Sequence, residues 1–276
     1  MDEFTAIEKT IRQQQNRYYG KYRAFIADNQ DPETRGRCKL TIPSVLSKTI
    51  SDWALPCFAY GGGQGFGVIA VPPVGSQVVA EFMEGDISSP LWTGAFWRTT
   101  DEVPEEFTGN TEPTAKVMKT ESGHVLVFED VEGDEKITLK SSAEAVLEMD
   151  PNGSLALTDS GGATVTLDAS SNEIKIEDAN GNSMVMSSSG ITCKDSSGNE
   201  IATTSGGINI KAPATVTIEG AAVAVGGSGG EPLIKGTTFL ASFNTHTHVC
   251  TAPGAPSGPP VPPLSPAVLT TKTTAL

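Results

Sequence analysis

Two of the three histidines in this 276-residue chain stand one residue apart, in Thr245-His246-Thr247-His248. At the two-residue period of a strand both imidazoles project to one side, so one chain offers two nitrogen ligands. Three chains about a common axis would offer six. Six nitrogens suit an octahedral ion, whereas structural zinc prefers four ligands, so iron or another six-coordinate metal fits this pattern better. His246 and His248 are therefore the candidate metal ligands. Cys250 continues the same face, but six histidines already fill the shell; His124, far upstream, reads as structural.

Other chemistry-bearing residues do not assemble into a site. Cys38, Cys57, Cys193 and Cys250 lie far apart and show no C-x-x-C spacing, which leaves disulfide frameworks and zinc ribbons unsupported. The run Gly61-Gly62-Gly63-Gln64-Gly65 lacks the third glycine of a dinucleotide fingerprint, since Phe66 or Ile69 stands where it belongs, and it reads as a tight loop. The acidic loops beginning at Asp150, Asp178 and Asp195 lack the sixth-position Gly and twelfth-position Glu of a calcium loop, and read as Asn-Gly or Ser-Gly turns. With two histidines assigned to the tip, nothing remains for a hydrolytic zinc site or a Ser/His/Asp arrangement. No catalytic and no cofactor-binding residue is assigned, and the chain reads as non-enzymatic.

The elements that must position His246 and His248 lie just upstream. No Phe, Trp or Tyr occurs between Glu129 and Thr238. Within that tract apolar pairs alternate at Ile137/Leu139, Leu147/Met149, Leu155/Leu157, Val165/Leu167, Ile174/Ile176, Met184/Met186, Ile191/Cys193, Ile208/Ile210, Val216/Ile218 and Val223/Val225, with a weaker unit at Ile201. Gly, Asn, Asp and Ser fill the gaps, so the repeat is one short strand plus one turn. Each strand has an apolar stripe that an isolated chain leaves uncovered. Coils this short enclose little core alone, and a narrow three-fold axis has room for Val, Ile, Leu and Met but little for aromatics. The pattern predicts a homotrimeric, intertwined β-helix with its ladders between chains, resistant to SDS at room temperature.

Charge supports an outward acidic surface. The formal net charge is -14, every Arg lies at or before Arg98, and between Glu121 and Glu231 the only cations are Lys136, Lys140, Lys175, Lys194 and Lys211. A phosphate-binding face needs clustered Lys and Arg, so nucleic acid is not an expected partner. No stretch approaches the roughly 18 apolar residues that span a bilayer, and the acidic start has no apolar signal-peptide core, so synthesis in a cytoplasm is expected. From Gly236 to Thr271 there is no Asp, Glu, Lys or Arg, which suits a segment that enters lipid first.

Upstream, Phe4, Ile7, Ile11 and Tyr18 share one face at helical spacing, giving an amphipathic segment that packs on its own barrel or on a partner. Tyr22 to Pro43 reads as a hairpin, and further strands are predicted at Trp53 to Tyr60, Gly67 to Val71, Gln77 to Met83 and Leu91 to Trp97. So many short strands fit a small barrel. The divisions are residues 1–20 (amphipathic segment), 21–100 (barrel), 101–120 (linker), 121–235 (shaft) and 236–276 (tip).

The residues Arg35-Gly36-Arg37-Cys38-Lys39-Leu40-Thr41-Ile42-Pro43, Trp53-Ala54-Leu55-Pro56, the Gly61–Gly65 run, Pro72-Pro73-Val74-Gly75-Ser76-Gln77-Val78 and Phe82-Met83-Glu84-Gly85-Asp86-Ile87-Ser88-Ser89-Pro90, through Gly94, resemble the OB-fold domain of contractile-tail spike proteins. That family covers phage baseplate spikes, pyocin-type injection spikes and the VgrG proteins of type VI secretion. The resemblance implies an all-β chain: an OB-fold barrel that seats the spike on tail hub or baseplate proteins, then a triple-stranded β-helix. It also implies a metal-stapled tip with one iron ion per trimer held by His246 and His248 of each chain. The implied role is puncture of the target cell's outer membrane by a virion tail baseplate or an equivalent injection particle. The alternatives are a spike carrying peptidoglycan-hydrolase activity and a trimeric adhesin or tail fibre. About 20 residues separate Trp97 from the first shaft strands, too few for a catalytic domain.

Overall fold

The computed structural model describes residues 17–108, 112–221, 223, 236–247 and 263–265. The amphipathic face of Phe4, Ile7 and Ile11 lies outside the described residues. Two compact units divide the chain, 1–209 and 210–276.

The first unit begins with a five-stranded sheet of order β2-β1-β4-β5-β3. Its strands are β1 (Tyr22–Asp28), β2 (Lys39–Thr41), β3 (Leu55–Cys57), β4 (Gln77–Phe82) and β5 (Pro90–Ala95). β1 and β2 form the expected antiparallel hairpin, and β3 runs parallel to β5. Alternation sends Ala24 and Ile26 from β1, and Val78, Ala80 and Phe82 from β4, into one core with Cys38, Leu40, Ile42, Ala54 and Trp92. Alanines at Ala24, Ala54 and Ala80 leave room for the Trp92 ring, whose indole N–H donates to Gly36 O at 3.1 Å. Tyr18 and Tyr22 pack on Phe82, each with ring centroids 5.6 Å from it.

Two of the barrel strands are shorter than the sequence predicts. Only Leu55–Cys57 of the Trp53 to Tyr60 stretch joins the sheet, and residues 67–71 join no ladder. The reason is the glycine run. Gly61, Gly62, Gly65 and Gly67 all take positive φ, which turns the chain out of the sheet. Val68 N–H donating to Tyr60 O (3.0 Å) and the neighbouring Tyr60 and Phe66 rings close the loop.

The second sheet has eleven strands in strict sequence order. They are β6 (Ala115–Lys119), β7 (Val125–Glu129), β8 (Lys136–Lys140), β9 (Val146–Met149), β10 (Leu155–Thr158), β11 (Thr164–Asp168), β12 (Glu173–Glu177), β13 (Ser183–Ser187), β14 (Gly190–Lys194), β15 (Glu200–Thr204) and β16 (Gly207–Lys211). β6 falls inside the stretch read as linker, so the sheet starts earlier than the aromatic-free tract suggests. Antiparallel hairpins join the neighbours from β6 through β15. This departs from the predicted ladders between chains: sequence neighbours pair within one chain, which closes the smallest possible loops. The apolar pair Val216/Ile218 forms no strand, and Val225 lies outside the described residues. Lys211-Ala212-Pro213-Ala214 has neither a capping side chain nor a glycine to close another hairpin, and Pro213 has no N–H to donate.

Six of the connections are copies of one five-residue loop: Thr120–His124, Ser141–Ala145, Asp150–Ser154, Asp159–Ala163, Asp178–Asn182 and Asp195–Asn199. In each, the first residue's N–H donates to the fifth carbonyl, and the fourth N–H donates back to the first carbonyl. The first side chain then accepts the fifth N–H, through a hydroxyl in two loops and a carboxylate in four. The fourth residue takes positive φ and is glycine except at Glu144 (φ 66). The turns expected at Asp150, Asp178 and Asp195 are three members of this set.

Candidate assembly face and tip

Strand register determines what the sheet presents. Leu155 faces Met149 and Leu167, Ile174 faces Leu167 and Met186, and Met186 faces Ile191. Two residues along each strand, Leu157 faces Leu147 and Val165, Ile176 faces Val165 and Met184, and Met184 faces Cys193. Two apolar columns therefore run across the sheet on one face. The residue between them points the other way, giving Thr138, Glu148, Ala156, Thr166, Lys175, Val185, Thr192 and Ala202 on the opposite face.

This apolar face has no partner element within the described residues of the chain. Leu139 and Leu157 are each 50 % exposed, and Ile174, Ile176 and Met186 are also exposed. A shallow trough of about 780 Å³ runs along it, lined by Leu139, Leu147, Leu157, Val165, Ile176 and Met184 among others. Fully covering an aliphatic side chain contributes about 1.5–3 kcal/mol, so roughly half of that remains unclaimed at each position. An apolar stripe this long marks an interaction surface, since monomeric soluble proteins rarely expose contiguous patches above a few hundred Å².

The connector fastens the barrel to the start of the sheet. Glu102 accepts from the Gln77 side chain (2.9 Å) and from Arg98 N–H (2.7 Å), on the barrel side. Lys119 of β6 reaches Glu105 (3.0 Å) and Glu106 (2.8 Å). In the barrel, Arg37 donates to Asp31 at 2.6 and 3.0 Å, and this guanidinium holds the Asp31 carboxyl well below the usual carboxylate range. Burial pushes the Cys38 thiol up to about 11, so it is a packing residue and not a nucleophile.

In the second unit, α2 (Gly236–Thr245) carries Phe239, Phe243 and His246 along one face, with ring centroids 5.9 and 5.2 Å apart in turn. (A single short turn of helix, α1, Pro43–Leu46, lies in the barrel.) His246 N–H donates to Ser242 O at 3.1 Å, so the chain arrives at His246 as the end of a helix and not at strand period. The Phe239, Leu240, Phe243 spacing carries that helical signal, and the polar, uncharged composition masked it. His246 Nδ1 lies 2.5 Å from Phe243 O. That contact requires the proton on Nδ1 and leaves the lone pair of the neutral ring on Nε2, the arrangement found where a histidine ligates a metal. His248 and Cys250 lie outside the described residues. His124, by contrast, accepts from Ser142 N–H at 3.1 Å and links two loops of the sheet. Among the described residues no helix is long and apolar enough to cross a membrane.

Residues 22–97 match the type VI secretion system/phage-baseplate injector OB domain. The type VI secretion system spike protein VgrG5 of Pseudomonas aeruginosa is 38% identical over 82 residues, covering 28% of this chain and 10% of that one. VgrG3 of Vibrio cholerae, also a type VI spike protein, is 30% identical over 124 residues, 42% of this chain and 12% of that one. VgrG1 of Vibrio cholerae, named an actin cross-linking toxin, is 31% identical over 121 residues, 41% and 11% respectively. The match thus spans about one-tenth of the length of these relatives. Among solved structures, the SAS-4 TCP domain of Drosophila melanogaster, in complex with a proline-rich motif of Ana2, aligns at a TM-score of 0.31 and 12% identity over 44% of this chain and 75% of that one, a likeness too low to bear on function. Through residues 22–97 the chain therefore carries the OB domain of the type VI secretion and phage-baseplate injectors, and it is related to the VgrG spike proteins.

Proposed function

We propose that this chain is a structural, non-enzymatic central spike of a phage tail baseplate or related injection machine, built as a homotrimer that punctures the target cell's outer membrane. One observation carries the reading: a chain with an injector OB domain continues into an eleven-stranded sheet whose one apolar face is bare. Three copies with these faces inward form a triangular prism. Their ladders stay within each chain, and the copies meet through the two aliphatic columns. The OB domain supplies the collar that seats the prism on hub or baseplate proteins.

At the tip, His246 and His248 of three copies hold one iron ion in this reading. The Nδ1 contact of His246 to Phe243 O supports it, because it orients the ring and fixes the tautomer that a ligand needs. Bound there, the ion would cross-link three chain ends. The reading is tested by sedimentation of the full chain, which must give three times the 28.8 kDa chain mass, together with elemental analysis for iron. A monomer overturns the spike assignment, and a trimer without transition metal overturns the tip assignment alone. Release of fragments from purified peptidoglycan would instead favour a hydrolase-bearing spike.

A further inference from the structure

Near the end of α2 one side chain reads a backbone. Asn244 Nδ2 donates to Leu264 O at 3.1 Å, and Asn244 Oδ1 accepts from Leu264 N–H at 2.9 Å. Both bonds are part-buried and link positions 20 residues apart. The pair reproduces one rung of an antiparallel ladder with a carboxamide in place of a second strand. Each partner suits the task. Of the side chains of this size, only Asn presents a donor and an acceptor at the required spacing, since Asp accepts only and Leu does neither. On the other side, Pro262 and Pro263 have no N–H, so Leu264 is the residue of that stretch able to answer both halves.

We propose that Asn244 is a clasp that holds the proline-rich segment at Leu264 back against the end of α2, so that residues 245–263, with His248 and Cys250 among them, are closed into a loop instead of forming a free tail. Closing a chain at two points removes most of the conformations open to the residues between them. Proline-rich chain is stiff, so one anchor fixes the direction of several residues on either side. The clasp joins an amide to a backbone and needs no ion, so it stands independently of the metal reading.

The test uses the full chain in the presence of a chelator, with two readouts: amide hydrogen exchange at Leu264, and thermolysin cleavage at Val261 and Leu264. Wild type is expected to protect the Leu264 amide, and Asn244→Ala to exchange it about tenfold faster, the effect of losing a hydrogen bond of ordinary strength. Asn244→Asp, which keeps only the acceptor, falls between. Leu264→Pro removes the donor from the other side and leaves α2 untouched; it is expected to speed cleavage at Val261 as much as Asn244→Ala does. The proposal is overturned if wild-type Leu264 exchanges like an unstructured peptide, if both substitutions leave the two readouts unchanged, or if protection appears only when the chelator is omitted.

Discussion

Single residues in the sheet carry more than their exposure suggests. Asp178 accepts from Asn180 N–H and Asn182 N–H at 2.9 Å each and from the Asn182 side chain at 2.6 Å. The Asn182 side chain, then these backbone donors, lower its pKa from 3.8 to about 2. A carboxylate depressed on folding contributes stability that is fully present above the unfolded value and is lost as pH falls through the folded one. The contribution of Asp178 is therefore complete above about pH 4 and disappears between that point and pH 2. Asp150 and Asp195, lowered by the same kind of loop, act in the same direction. Urea midpoints measured from pH 5 to pH 2 should fall steeply for wild type and less steeply for Asp178→Asn; parallel curves would refute the linkage. Glycines make a second residue-scale contrast. Gly190 (φ 130) and Gly207 (φ 129) have nearly the same backbone, but a Cβ on Gly190 would sit 1.7 Å from Thr203 O, whereas at Gly207 nothing lies within 4 Å. Gly207→Ala should cost about 1–3 kcal/mol from conformation alone. Gly190→Ala should cost clearly more, because Thr203 is held in register opposite Ile191 and cannot retreat. Thermal melting of the two variants decides it, and equal losses would contradict the steric account.

Elements show which parts of the fold a sequence can declare. The apolar pairs from Ile137/Leu139 through Ile208/Ile210 all became strands, because period two is a property of neighbouring residues and needs no distant partner. The loops were legible where Asp and Gly bracket them and obscure where Thr120, Ser141 or Glu144 takes the same place, since a hydroxyl caps as a carboxylate does. β6 and β7 escaped for a different reason: Phe128 and Met118 sit in columns continuous with Ile137 and Leu139, but the search for an aromatic-free tract cut them off. The pairing of strands within the chain was not legible, because alternation says which face is apolar and not which strand lies alongside. α2 was hidden by its lack of charge, and with it the helical approach to His246. The cap model makes its own prediction at this scale. Asp195→Ala removes acceptors for Ser197 N–H, Asn199 N–H and the Asn199 side chain. It should destabilise the sheet by about 1–3 kcal/mol, with Asp195→Asn recovering part of the loss because an amide oxygen still accepts. A denaturant series on both variants checks the order, and a neutral Asp195→Ala would show that the turn backbone closes unaided.

For the whole molecule, the proposed assembly depends on one face and not on the sheet as such. A chain with a net charge of -14 repels its copies over most of its surface, so association must draw on a region where charge is absent and apolar area is long. The two columns meet that description, and the opposite face, with Glu148 and Lys175 between Thr138 and Thr192, does not. Leu157→Glu places a carboxylate in the middle of the inner column, where three copies would bury three like charges with no partner, at several kcal/mol each. Thr166→Glu adds the same charge on the same pair of strands but on the outer face. The first variant is expected to sediment as a monomer with its OB domain still folded, as judged by the tertiary signal of Trp92, and the second as a trimer indistinguishable from wild type. Because the strands and loops are unchanged in both, a difference between them can come only from which face is covered. If both variants remain trimeric, the copies associate through another surface and the prism is wrong; if both dissociate, added charge and not the apolar face controls assembly.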